Sequence, residues 1–369
     1  MLFPNSLGDV VHRVAFWILL ALFGSTFIRF MLMIDSNKRV YNHTPGPCRA
    51  IHNLNNGSAG MEYIKEENLT FVTFGLGRAY NLSVPCGIAI FRILPENSKF
   101  EVEKLKIEGS EFNRKEFAPH GISAYYSKGK TTLYVVNKLT QCIEIFQYQK
   151  EKKSLLYRKS VCSPHFTSIQ DVVALGADRL IISNLAYFSA GTLQNVELSF
   201  QSTFGSLLFF DGKSVSVMMS GLPSPLPLAI DRKRNLLFVG SLMNEIIKVY
   251  DIKRDFSLHP RTEVSLLSSP SGIFVDEESG DIWATTFPVL YQLFAHMINA
   301  KGANVLSPSQ VVRIRIQEDG ISWVITEPYS NDGATIAASS SVVYDKNQML
   351  IGSLFGRLLH CDVLNPEIT

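Results

Sequence analysis

From about residue 48 onward the chain is a succession of short β-rich runs that recur as one unit, and this repetition constrains its fold more than any other feature. The first strand of the unit reads Gly121-Ile122-Ser123-Ala124, then Gln170-Asp171-Val172-Val173, Pro227-Leu228-Ala229-Ile230, Gly272-Ile273-Phe274-Val275 and Ser341-Val342-Val343-Tyr344. A turn carrying Asp, Lys or Gly follows, then a second strand such as Leu133-Tyr134-Val135-Val136 or Leu236-Leu237-Phe238-Val239. A third often completes it, as in Ile143-Glu144-Ile145-Phe146 and Ile247-Lys248-Val249-Tyr250. Branched and aromatic side chains in runs of about four to eight, bounded by turn residues, fit a pleated and half-buried surface. Self-similarity near 40–50 residues with several strands per unit is the mark of a propeller blade, and about 320 residues at that period make six. The expected fold is all-β, a six-bladed β-propeller; a β-sandwich array is the alternative, but it would lack the unit-by-unit repetition. Cys48 starts such a ring and Cys361 lies near its end. A bridge between them would close a loop of about 300 residues, the regime where a cross-link constrains the unfolded chain most. Two unrelated buried thiols are the other reading.

Ahead of the propeller, residues 14–34 read VAFWILLALFGSTFIRFMLMI, with Arg29 the one charge. About 20 apolar residues rising 1.5 Å each cross a hydrocarbon core of about 30 Å, and an Arg near the end can snorkel to the headgroups. A cleaved signal peptide would carry a shorter apolar region and a small-x-small site, and no Ala-x-Ala follows here. Residues 14–34 are therefore expected to be a retained signal-anchor in contact with lipid, with residues 1–13 a cytosolic tail. Residues 35–47, polar and containing Pro45-Gly46-Pro47, predict a short stalk before a propeller at 48–369.

Orientation rests on sequons. Arg13 precedes the span while Lys38 and Arg39 follow it, so flanking charge argues weakly for a cytosolic C-terminal side. Four N-x-Ser/Thr sequons, at Asn42, Asn56, Asn68 and Asn81, argue for the secretory lumen, where such acceptors are glycosylated. The five cysteines, Cys48, Cys86, Cys142, Cys162 and Cys361, form no C-x-x-C pair, which leaves zinc and thioredoxin-like chemistry without support. In an oxidising compartment they allow two bridges and a free thiol, or one bridge and three thiols. The expectation is a single-pass protein of the endoplasmic reticulum or cell membrane with its propeller outside the cytosol. With 35 basic and 33 acidic residues there is no electrostatic footprint for nucleic acid.

Several motifs, in order between about residues 47 and 363, resemble the paraoxonase/arylesterase family of calcium-dependent lactonases. They are Phe117-Ala118-Pro119-His120-Gly121-Ile122-Ser123, Tyr134-Val135-Val136-Asn137, Glu151-Lys152-Lys153-Ser154-Leu155-Leu156 and Asp171-Val172-Val173-Ala174-Leu175-Gly176. Val275-Asp276-Glu277-Glu278-Ser279-Gly280-Asp281-Ile282-Trp283 and Leu350-Ile351-Gly352-Ser353-Leu354-Phe355 complete the set. The resemblance implies a six-bladed propeller, a ring-closing disulfide between Cys48 and Cys361, and a retained N-terminal hydrophobic segment. It also implies a calcium in the central tunnel, and there this chain departs from the pattern. Where the family has Glu-Asp after Gly57-Ser58, it has Ala59-Gly60; Asn-Asp becomes Gln170-Asp171; an Asn aligns with Leu226; Asp-Asn becomes Ser271-Gly272. Calcium takes about six to eight oxygens, and the charge of its ligands sets the affinity.

The base is depleted too. His120 is kept, but Lys138 stands where the family has its partner histidine. His120 alone is read as a packed or solvated blade residue, since a base needs an activated nucleophile to serve. Asp171, with Gln170, is the candidate remnant of a residual structural calcium site, although its acidic partner there is now Gly60. No other catalyst replaces these groups: there is no G-x-S-x-G, H-E-x-x-H, P-loop or G-x-G-x-x-G, and His165, His259, His296 and His360 are scattered. The chain resembles the membrane-bound, calcium-poor paraoxonase-like accessory proteins of nematode degenerin/ENaC sodium channels. This implies a non-catalytic protein that assists the folding, surface expression or gating of a channel subunit. Residues 287–298 (FPVLYQLFAHMI) are a candidate contact surface or a helix packed over the blades. A lactonase or arylesterase with a rearranged site is the alternative function, and a receptor for a lipophilic ligand in an emptied tunnel is a third.

Overall fold

The structure, a computed structural model, describes residues 7–367 apart from 55, 94–99, 300–304 and 318; residues 1–6 of the expected tail lie outside the described residues. Among the described residues twenty-five strands form six sheets. Blade 1 comprises Met61–Ile64, Leu69–Phe74, Gly87–Phe91 and Glu103–Lys104; blade 2 comprises Pro119–Ser127, Lys130–Asn137, Cys142–Gln149 and Ser154–Cys162. Lys106–Glu108 adds in parallel to the outer edge of blade 2. Blade 3 is Ile169–Gly176, Arg179–Asn184, Gly205–Phe210 and Val215–Leu222, and blade 4 is Pro225–Asp231, Leu236–Ser241, Ile246–Ile252 and Leu258–Ser265. Blade 5 is Ser269–Val275, Ile282–Phe287, Ser309–Ile316 and Trp323–Asn331. Blade 6 is Ser339–Asp345, Gln348–Ser353 and Leu359–Asp362, with Cys48–Ala50 as its outer strand. The first strand of each blade meets the first strands of its two neighbours all the way round, so these six strands line the axis.

The second strands lie inside their sheets, between the first and third strands, and are covered on both faces: Leu69–Phe74, Leu236–Ser241 and Ile282–Phe287 are buried at every position. That explains why they read as continuous apolar runs instead of alternating ones. Apolar wedges such as Phe71, Ile88, Phe117, Leu133 and Phe146 fill the space between blades 1 and 2. Two-residue turns at Lys128-Gly129 and Lys346-Asn347 have both φ values positive, the backbone that matches the twist of a tight hairpin.

The ring closes through the pairing of Cys48–Ala50 with Leu359–Asp362, and Cys48 sits opposite Cys361 in register and is bonded to it. A second disulfide joins Cys142 to Cys162, also opposite each other, within blade 2. Cys86 is the free thiol, which selects two bridges from the alternatives left by the sequence.

Outside the blades lie helices α1 (Leu7–Met33), α2 (Thr192–Ser199) and α3 (Leu290–Ile298). Over Gly8–Met33, α1 is apolar and unburied and is long enough to cross a bilayer. It begins before the expected residue 14, because backbone hydrogen bonding continues past the point where apolarity stops. The stalk expected over residues 35–47 is not a free tether. His43 pairs with Ser330 of blade 5, the Pro45 carbonyl accepts from Leu364 N–H, and Asp35 is buried. Asp35 is buried and Lys38 half-buried among these contacts, whereas Ser36, Asn37, Arg39 and residues 41–44 remain exposed.

Candidate functional site

The six axial strands enclose a tunnel of about 330 Å³. Ala59, Gly60, His120, Asp171, Leu226, Ser271 and Gly272, the positions singled out from the sequence, all line it. Gln170 does not join them. Its side-chain oxygen accepts from Lys138 Nζ at 2.9 Å, and its amide nitrogen donates to Ser168.

At two of these positions the neighbouring backbone stands close. A Cβ on Gly60 would collide with the His120 carbonyl, and one on Gly272 with the Ser340 carbonyl. Hydroxyls lace four of the six blade junctions near the axis. Thr73 Oγ1 donates to the His120 carbonyl (2.8 Å), Ser183 Oγ to Leu226 (2.8 Å), Ser271 Oγ to Ser339 (2.7 Å) and Ser341 Oγ to Ser58 (2.9 Å). Asp171 joins blade 3 to blade 4, accepting from its own strand at Val172 N and across the gap from Leu228 N, both at 2.9 Å. Ser340 Oγ is buried on the tunnel wall with no partner.

The electrostatics of the tunnel follow from burial. Burial, reinforced by the Lys138 charge, pushes His120 down to about 4, so its ring is neutral. Its Nδ1 is 2.7 Å from the Gln170 carbonyl and donates to it. Lys138, pushed down to about 7 by burial, donates to the Ile169 carbonyl and Gln170 and offers His120 no basic partner. Burial pushes Asp171 up to about 7 against the pull of its two N–H donors. Of the tunnel positions singled out from the sequence, Asp171 alone keeps a carboxyl, short of the about six to eight oxygens that calcium takes. Among the described residues no three His, Cys, Asp or Glu side chains gather in metal-binding geometry.

The two ends of the tunnel differ in chemistry. On the helix-bearing side an apolar cluster covers it, with Leu76, Leu185, Leu242, Phe287, Leu290, Leu293 and Leu354 buried and Met33 of α1 packed against them. Tyr80 stacks edge-on with Phe355 at 5.2 Å, and burial pushes its hydroxyl up to about 12. Towards the other ends of the same strands stand Glu62, Arg232 and Glu277, which sequence reading missed. Glu62 accepts from Ala124 N at 3.1 Å and burial raises its pKa, while Arg232 donates to the Ala174 carbonyl at 3.0 Å. The available signal was a charge within an inner-strand run, in Met61-Glu62-Tyr63-Ile64 and after Ile230-Asp231.

The remaining candidates are dispersed. His165 is on a loop, His259 on the outer strand of blade 4, His296 on α3, and His360 is buried against Phe100. Asn42 and Asn81 are exposed, Asn56 and Asn68 half-buried, and the Asn68 amide nitrogen donates to the Ile93 carbonyl. Within residues 287–298, α3 buries Leu290 and Leu293 and exposes Tyr291 and Ile298, so it is packed on one face and free on the other.

The ring of six blades is closed at Cys48–Cys361 and carries His120 and Asp171 on its axis. The arylesterase family profile matches residues 25–363, and the chain belongs to that family. It is 42% identical to Mechanosensory abnormality protein 6 of Caenorhabditis elegans, across 99% of each chain. Mouse serum paraoxonase/lactonase 3 is 26% identical over 97% of this chain and 100% of its own length. Human serum paraoxonase/arylesterase 1 is 25% identical over 93% and 96%. Among solved structures, a gluconolactonase from Xanthomonas campestris shares the fold with a TM-score of 0.52 and 14% identity, covering 88% of this chain and 99% of its own.

Proposed function

We propose that this protein is a non-catalytic, membrane-anchored member of the family that assists the folding, assembly, surface expression or gating of a membrane partner, a channel subunit of the degenerin/ENaC type. The observation that carries the reading is the tunnel. Ala59, Gly60, Leu226, Ser271 and Gly272 occupy the positions where the family gathers its calcium ligands, and at Gly60 and Gly272 a neighbouring carbonyl leaves no room for a Cβ. Hydroxyl-to-carbonyl bonds brace the blades there in place of an ion. The likeness to a protein named for a mechanosensory defect supports the same reading, as does α1, through which the chain would meet lipid.

On this reading the propeller lies in the lumen or outside the cell, Asn42, Asn56, Asn68 and Asn81 are its glycan acceptors, and no calcium is needed at the axis. The paraoxonase relatives, together with His120 and Asp171, support the alternative of a calcium-dependent lactonase with a rearranged site. Co-expression with a degenerin/ENaC subunit, read by surface biotinylation and by co-purification through full-length protein, tests the proposal. The expected result is a co-purifying subunit with higher surface abundance or current. A subunit that neither co-purifies nor changes in either respect would overturn it.

A further inference from the structure

The end of α1 is built in an uncommon way. Ser36 N–H bonds the Met31 carbonyl and Asp35 N–H bonds Leu32, the paired bonds that finish a helix around a left-handed residue. Asp35 is that residue, with φ 63°, where glycine is favoured because it has no Cβ to strain. Its carboxylate is what glycine could not supply. One oxygen accepts from Leu290 N at the start of α3 (3.1 Å), and the other lies 2.6 Å from Lys38 Nζ. Lys38 also reaches Glu245 of blade 4 at 2.7 Å and the Leu267 carbonyl at 2.6 Å, so its three protons are all engaged. The Ile34 carbonyl accepts from Tyr291 N, and Met33 packs into the apolar cluster over the tunnel. Asp35 is 1% exposed, and one charged side chain removed from water in this way is tolerated only with its partners in place.

We infer that the Asp35–Lys38–Glu245 clasp fuses α1 to the propeller as one rigid unit, so that the axis of the propeller is held at a fixed angle to the membrane helix. The fixed angle relative to the bilayer rests on the reading that α1 crosses it; the rigidity does not. A fixed angle keeps the helix-bearing face towards the exit of α1 and the charged tunnel end with Glu62 and Arg232 away from it. An accessory protein mounted in this way offers one constant face to a neighbouring ectodomain.

The test uses full-length protein in lipid nanodiscs on a Cys86→Ser background, with spin labels at Val11→Cys and Arg254→Cys and the distance distribution between them measured. Wild type should give a single narrow distribution. Asp35→Asn keeps a residue that tolerates the left-handed backbone but removes the charge, and it should broaden the distribution at least twofold; Lys38→Met should do the same. An unchanged melting temperature of the blades would show that both variants remain folded, and Glu245→Gln, on a surface turn, provides a third variant if either does not. A wild-type distribution as broad as that of the variants would overturn the inference, as would variants as narrow as wild type. Extraction of the protein by alkaline carbonate would instead overturn the membrane reading, and with it the fixed angle to the bilayer, whatever the distances show.

Discussion

The rim and the axis of this propeller are held together by different means. At the rim, one covalent bond between Cys48 and Cys361 joins strands 313 residues apart in sequence. At the axis, neighbouring blades are held by single hydroxyl or carboxyl bonds from Thr73, Asp171, Ser183, Ser271 and Ser341. The difference teaches that ring closure and axial bracing are separable. A ring closed covalently at its rim can be braced at its centre by small polar groups that make the inter-blade contacts.

The largest expected effect lies at the rim. Cys48→Ala or Cys361→Ala should lower stability by about 2–5 kcal/mol, and more than Cys142→Ala, because the rim bond closes a much longer loop. Denaturant melts of the variants measure this. The opposite order would show that the long-range closure is not where covalent stabilisation acts.

The axis should reveal itself through pH. The pKa of Asp171 is raised in the fold from 3.8 to about 7, so its stabilising contribution is present below 3.8 and lost as pH rises through about 7. His120 is lowered from 6.5 to about 4, so its contribution is present above 6.5 and lost as pH falls through about 4. Between about pH 4 and 6.5 the two slopes oppose each other, each approaching about 1.4 kcal/mol per pH unit. Asp171→Asn should therefore make the protein lose stability on acidification across that window, and His120→Gln should make it gain. Parallel curves for both variants and wild type would show that neither group is held as described. Asp171→Asn should also cost about 1–3 kcal/mol at neutral pH, since its amide would turn a donor towards a backbone N–H.

Single hydroxyls should matter least. Ser271→Ala and Ser341→Ala are each expected to cost about 1 kcal/mol, whereas Ser340→Ala, which removes a hydroxyl without a partner, should cost nothing measurable. Equal losses at all three would remove the case for lacing.

The same contrast explains what could be read from the sequence. Blades were legible because strands such as Leu236–Ser241 are buried on both faces and leave an apolar run in the chain. Closure at Cys48–Cys361 was legible mainly through family likeness. The Cys142–Cys162 bond was not, because hairpin register cannot be read from spacing alone. Residues 35–47 looked like a stalk because the partner of Lys38, Glu245, lies 207 residues away. Glu62 and Arg232 were missed because a charge in a strand ordinarily marks a solvated face, and here it faces the tunnel. The altered tunnel positions could be listed from the motifs, but the close approach of backbone carbonyls to Gly60 and Gly272 belongs to the packing.

The central claim is that the axis no longer supports hydrolysis, and lactone turnover by purified full-length protein, with calcium and with chelator, tests it most directly. The account predicts turnover no faster than buffer in both conditions. Chelator-sensitive turnover abolished by Asp171→Asn or His120→Gln would contradict it.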